Sequence, residues 1–354
     1  MLGVGMISIR QEGLMQSQHA RKCSRRTFLG GLTLAGTAGL FGLRAKSVTA
    51  EPPPETTRLR LHQFPAVCYA PYYVAEELLR SEGFTDVHYV KLATWADQKK
   101  ALAAGELDLT IQTVGQCPLR LDAGDPITVL AGLHAGCYEL FATDRVRTMR
   151  DLKGKTVSIS SKESGRYVFL VSMLAYVGLD PHNDITVIEL PPPESMQLLA
   201  AGKIDAFMAF PPEPQELRAK QVGHVLVDTR TDRPWSQYFC CMLVGRREFV
   251  QRSPVATKRW LRAIVKATNM CALEPDRATQ FLVDKGYTTQ YDYALQSLQE
   301  IPYAKWREYD PEDSVRFHAL RLHEVGMIKS SPQKLITLGT DWRFLNELKK
   351  EMKG

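Results

Sequence analysis

Two short stretches hold the residue types from which a recognition site could be built. Ser161-Lys162-Glu163-Ser164-Gly165-Arg166-Tyr167 runs directly into the apolar segment Val168 to Val177. A helix starting there turns its free N–H groups and the positive end of its dipole toward Ser161, Ser164, Gly165 and Arg166, an arrangement suited to an anion. The alternative is that Ser161 and Ser164 only cap the helix. Phe210-Pro211-Pro212-Glu213 follows the apolar run Ala206 to Ala209. Phe210 offers an apolar wall, and Glu213 is either an acceptor for an amine or an acidic residue at a helix start.

Three further groups are candidates for the same site. Thr113, Gly115 and Gln116 combine a hydroxyl, an open backbone and an amide, which can donate to an oxygen-rich ligand. Phe64 and Tyr69 either line a pocket or pack against the first helix, and Trp235 either lines a cleft or packs at a hinge. His134 and Cys137, with Cys117, come nearest to a metal-ligand group, but no second histidine or carboxylate has ligand spacing. The expectation is no metal and no cofactor, with His134 a neutral histidine at a cleft. No Ser/His/Asp set and no cysteine paired with a base is specified, so no catalytic residue is expected. The six cysteines beyond residue 50 (Cys68, Cys117, Cys137, Cys240, Cys241 and Cys271) permit disulfides in an oxidising compartment but are scattered and not spaced as a framework, and the adjacent Cys240 and Cys241 read as small buried hydrophobes.

The elements that must position these residues repeat. Leu199-Ala200-Ala201-Gly202-Lys203-Ile204-Asp205-Ala206 echoes Leu102-Ala103-Ala104-Gly105-Glu106-Leu107-Asp108-Leu109 at an offset of 97 residues. In both, a helical run stops at a glycine suited to a left-handed cap, and an Asp precedes a short strand. Leu59 to Leu61 pairs with Val157 to Ile159, and Asp86 to Val90 with Asp184 to Ile188, so each half reads strand, helix, strand, helix, strand. Loops after the strands of such sheets lie at the carboxyl edge, where ligands bind, and the candidate residues fall in those loops. Arg145 to Arg150 reads as the connection between the halves, and Thr229 to Pro234 as a return crossover. The expected lobes are residues 58–145 plus 234–354, mainly helical beyond Ser253, and residues 146–233.

Charge excludes one class of partner. The formal net charge of +6 belongs to residues 1–50, which hold seven basic residues and one acidic residue; the rest of the chain is balanced. Nucleic acid is therefore not an expected partner. Ser24-Arg25-Arg26-Thr27-Phe28-Leu29, the Gly-rich apolar run Gly30 to Leu43 and Val48-Thr49-Ala50 form, in order, a twin-arginine export signal with cleavage near Ala50. Residues 51–57, with three consecutive prolines, read as a stiff solvated spacer.

Pro65-Ala66, Pro71-x-Tyr73-Val74-Ala75-x-Glu77, Ala101-Leu102-x-x-Gly105-x-x-Asp108, Asp151-Leu152-Lys153-Gly154-Lys155, Gly178-Leu179 and Ala201-Gly202-x-Ile204-Asp205-Ala206 together carry a resemblance. Over residues 58 to 245 the chain resembles the periplasmic substrate-binding proteins of ABC importers, in the nitrate/taurine/aliphatic-sulfonate class that also includes thiamine-precursor binders. The resemblance implies an α/β, type II-like two-lobe periplasmic-binding-protein fold with an interlobe ligand cleft and a helical C-terminal extension. It implies a periplasmic monomer that closes on a small, anionic organic or inorganic solute and delivers it to a membrane permease with its cytoplasmic ATPase, after passage through the Tat machinery. An anionic head group at Ser161, Ser164 and Arg166, with an organic body on Phe64, Tyr69 and Phe210, is the expected binding mode. The alternatives are an enzyme on the same fold, of thiamine-pyrimidine or menaquinone-pathway type, and a regulator's effector domain, for which the chain lacks a helix-turn-helix.

Overall fold

The computed structural model describes residues 51–92 and 94–352; the export signal expected over residues 1–50 lies outside them. Among the described residues ten strands form in the order β1 (Arg58–Gln63), β2 (Asp86–Lys91), β3 (Leu109–Thr113), β4 (Ile127–Ala135), β5 (Glu139–Ala142), β6 (Thr156–Ile159), β7 (Thr186–Glu189), β8 (Ala206–Ala209), β9 (His224–Asp228) and β10 (Phe239–Arg246). They make two five-stranded sheets of the same design, β2-β1-β3-β10-β4 and β7-β6-β8-β5-β9. In each, the first three strands are parallel and the fourth is antiparallel to both neighbours. Helices flank both sheets, as the expected α/β class requires.

The repeat has a physical basis. Gly105 and Gly202 adopt φ +72° and +64°, ending their helices in the left-handed conformation. The Asp three residues on then ties strand to strand: Asp108 Oδ2 accepts from the Arg60 N–H at 3.0 Å, and Asp205 Oδ2 from the Thr156 N–H at 2.9 Å. Arg60 and Arg145 neutralise the two carboxylates. Partial burial opposes the charge on Asp205, but the Thr156 N–H and Arg145 hold its carboxyl below the usual range. Gly-x-x-Asp is thus a device for starting β3 and β8 beside β1 and β6.

The antiparallel strands are where the chain changes sheets, and here the sequence boundary needs correction. Glu139–Ala142, expected in the first lobe, pairs with β8 and β9 in the second sheet. The crossing therefore occurs at Gly136–Tyr138, ahead of Arg145 to Arg150, because β5 extends directly from β4. The return runs from Thr229 to Tyr238, between β9 and β10, and so extends beyond the Thr229 to Pro234 read from the sequence. The crossovers hold each other: Tyr138 N–H donates to Thr229 Oγ1 at 3.0 Å, and Thr229 N–H to Tyr138 O at 3.0 Å. Gly136 has φ +46°, and a Cβ there would lie 2.6 Å from Arg230 Cα, so only glycine permits this approach.

Helix Gly165–Tyr176 begins three residues before the apolar run, which draws Gly165 and Arg166 into its first turn. Helix Gln116–Asp122 was not expected from the sequence; Pro118 stands in its first turn, where a missing N–H costs nothing. In Pro254–Leu273 the residues Trp260, Leu261, Ile264, Val265 and Thr268 are buried, as their spacing predicts. The supposed spacer is docked on this helix: Glu55 accepts from the Val255 and Ala256 N–H groups at 3.0 and 2.9 Å, and Glu51 pairs with Arg262 at 2.8 Å. Helix Pro311–Glu324 lies against Gly165–Tyr176, with His318 Nδ1 3.2 Å from Ser172 Oγ and its ring 4.9 Å from that of Phe169.

Candidate functional site

The carboxyl edges of both sheets meet around a cavity of about 300 Å³. From the first sheet come Phe64, Pro65 and Tyr69 after β1, and Thr113 at the end of β3; from the second come Ser160, Ser164, Gly165 and Arg166 after β6, and Phe210 to Glu213 after β8. Tyr138 of the crossover and Pro192 after β7 complete the wall. Of the residues singled out in the sequence, Phe64, Tyr69, Thr113, Ser164, Gly165, Arg166, Phe210 and Glu213 line this cavity.

The polar groups of this cavity are arranged in a way the sequence did not disclose. Arg166 is buried and both of its terminal nitrogens are paired: Nη1 donates to Met208 O at 2.8 Å and to Glu213 Oε2 at 2.6 Å, and Nη2 to Glu213 Oε1 at 2.8 Å. Burial works against its charge, but the Glu213 carboxylate outweighs that and holds the guanidinium above its ordinary pKa. Glu213 also accepts from the Phe210 N–H at 3.0 Å, so the pair ties the loop after β8 to helix Gly165–Tyr176. Its charges cancel. The Ser164 side chain does not cap the helix start and donates to Ser161 O at 2.5 Å instead, which leaves the first N–H groups of the helix without a side-chain partner.

The two sides touch. Gln116 Nε2 donates to Glu163 O at 2.7 Å, and a Cβ on Gly165 would lie 2.5 Å from Thr113 Cγ2 and 2.7 Å from Tyr138 Oη. The Tyr138 ring packs 5.0 Å from Phe210 and 4.5 Å from Phe169, and burial pushes its hydroxyl well above the ordinary range. Tyr138 was missed as a site residue; the signal for it was its place at the end of the strand that leaves the first sheet.

Five expected site residues stand elsewhere. Gly115 is packed under Val168. Gln116 bridges the two sides outside the cavity wall, and Ser161 Oγ accepts from the Glu163 N–H at 3.1 Å. Trp235 packs on Tyr176, Phe317 and His318, which is the hinge-packing alternative. His134 is not at the cleft: it is wholly buried on β4, where its ligating nitrogen and the thiols of Cys68, Cys137 and Cys241 lie within 4.8 Å of one another. The cysteines that look scattered in sequence therefore converge, while Cys117, grouped with His134 in the sequence reading, donates instead to Thr113 O at 3.7 Å.

Two buried histidines give the structure a pH dependence. Burial lowers His318 to about 3 and His62 to about 4. Their folded pKa values lie below the unfolded value of about 6.5, so as pH falls the unfolded chain takes up protons first, and stability present above that value is lost. For His318 the loss between pH 7 and 5 is about 2 kcal/mol. Urea unfolding of the parent chain and His318→Gln over this range checks it: the variant has the shallower decline, and parallel curves would refute the assignment.

Comparison with known proteins agrees with this architecture. Over 283 residues the chain is 26% identical to the nitrate import ATP-binding protein NrtC of Synechocystis, covering 72% of this chain and 40% of that one. Over 206 residues it is 23% identical to the taurine-binding periplasmic protein of Escherichia coli, covering 57% and 62%. The chain thus spans about half the length of the curated relatives it matches. Among solved structures, the periplasmic nitrate-binding protein NrtA of Synechocystis superposes with a TM-score of 0.69 at 16% identity, over 85% of this chain and 90% of that one, which shows the periplasmic-binding-protein fold. The NMT1-like family model matches residues 52–282, more than half of the sequence, and the chain belongs to that family.

Proposed function

We propose that the chain is the solute-binding component of an ABC importer, holding a small anionic solute between its two sheets. The observation that carries this reading is the cavity shared by the edge loops of both sheets, into which an uncapped helix start faces. The anionic group binds the N–H groups of Gly165 and its neighbours, with Thr113 and Tyr138 opposite, and an organic body lies on Phe64, Tyr69 and Phe210. Arg166 acts through Glu213, by fixing the loop that carries Phe210, and not as a free cation. The taurine- and nitrate-binding relatives are binding proteins, which favours capture over catalysis.

A lobe carrying the first sheet with the C-terminal helices and a lobe carrying the second sheet turn about Gly136–Tyr138 and Thr229–Tyr238. Solute that touches both lobes stabilises the closed state by its differential affinity. The closed monomer delivers it to a membrane permease driven by a cytoplasmic ATPase, in the periplasm, after twin-arginine export. A thermal-shift screen of nitrate, taurine and alkanesulfonates tests the reading. At hundredfold excess over its Kd the right solute adds about 2.7 kcal/mol of stability and is recovered chemically unchanged. No shift with any of them, or conversion of one, would overturn it.

A further inference from the structure

We infer that Cys68, His134, Cys137 and Cys241 form a buried metal site, a Cys3His set suited to zinc, at the crossover between the sheets. The four residues come from four chain segments: the turn after β1, the end of β4, the crossover itself and the start of β10. All are buried, and their ligating atoms lie within 4.8 Å of one another. Zinc–sulfur and zinc–nitrogen bonds of about 2.3 and 2.0 Å put tetrahedral ligands roughly 3.5–3.8 Å apart, so the set need draw in by only about an ångström.

His134 supplies an independent observation. Its Nδ1 is 3.2 Å from Ala135 O, which keeps the proton on that nitrogen and leaves a lone pair on Nε2. Among the described residues Nε2 has no hydrogen-bond partner, although the ring is 0% exposed. An orphaned buried imidazole nitrogen is costly, and a metal ion removes the cost. The surroundings hold the set in place: Tyr303 packs edge-on to His134 at 5.5 Å, and its hydroxyl donates to Cys68 O at 2.9 Å. Metal binding releases the thiol protons.

Cys240 is the competing partner, with its Sγ 3.0 Å from Cys137 Sγ. Metal and disulfide are mutually exclusive uses of Cys137. The site also bears on the cavity, since Tyr69 and Tyr138, the residues after Cys68 and Cys137, line it; the ion would fix two walls of the solute site. Metal content is nevertheless measurable whether or not the solute-binding reading holds.

The full chain, purified under thiol reductant without chelator, is expected to carry one zinc ion per chain by elemental analysis. Cobalt(II) added to the metal-free chain should give thiolate-to-cobalt charge-transfer absorption and the visible bands of a tetrahedral ion. His134→Ala and Cys241→Ser lower the affinity at least tenfold, and Cys271→Ser leaves it unchanged. Should either ligand variant fail to fold, the cobalt spectrum of the parent chain decides. Absence of the charge-transfer band from the fully reduced chain overturns the proposal, as does a Cys137–Cys240 disulfide found by peptide mapping in the chain as isolated.

Discussion

Replacing Arg166 with alanine is expected to lower the free energy of unfolding by about 3–5 kcal/mol, because it strands the Glu213 carboxylate in a site built for a pair. Both side chains are largely buried, at 10% and 16% exposure, so solvent cannot take over the lost interactions. Three hydrogen bonds go with the guanidinium, including the one to Met208 O at the end of β8. The double variant Arg166→Met with Glu213→Gln should recover most of the loss: no charge remains buried, and the glutamine can still accept from the Phe210 N–H. Urea denaturation of the single and double variants measures this. A single-variant loss below about 1 kcal/mol, the range of exposed pairs, would show that Arg166 is free to serve as a direct anion ligand instead.

Gly165→Val should abolish useful solute binding while the chain still folds. A Cβ at this position meets Thr113 Cγ2 at 2.5 Å, Thr113 Oγ1 at 2.6 Å and Tyr138 Oη at 2.7 Å, all across the cleft from the helix that carries it. The two sides must part to admit the valine, and the valine covers the N–H groups proposed to hold the anion. Overpacking of this kind costs about 1–3 kcal/mol of stability. An affinity loss of a hundredfold or more, about 2.7 kcal/mol, is expected by calorimetry with whichever solute stabilises the parent chain. Unchanged affinity would place the solute elsewhere.

Local and repeated features were legible in the sequence. Gly-x-x-Asp recurs because each copy starts a strand beside its partner, and glycine caps, short apolar strands and edge loops follow from local chemistry. From these the two sheets, their common design and eight of the residues around the cavity could be placed. Features that depend on distant partners left no local trace. Arg166 and Glu213 stand 47 positions apart, so a lone arginine at a helix start looked like a free anion ligand. His134 and Cys241 meet because β4 and β10 are neighbours in the sheet, a pairing the repeat does not encode, and Cys68 and Cys137 reach them from the turn after β1 and from the crossover. The same limit misplaced β5: its run of four apolar and polar residues says strand, but not which sheet.

The reading of the cavity as a solute site is tested most directly by native mass spectrometry of the chain and of Gly165→Val, both recovered from the periplasm of expressing cells. The account predicts a mature chain cleaved near Ala50 that carries one small anionic molecule, released unaltered on denaturation and missing from the variant. An equal load of the same molecule on both chains, or no bound molecule even after incubation with the stabilising solute, would contradict it.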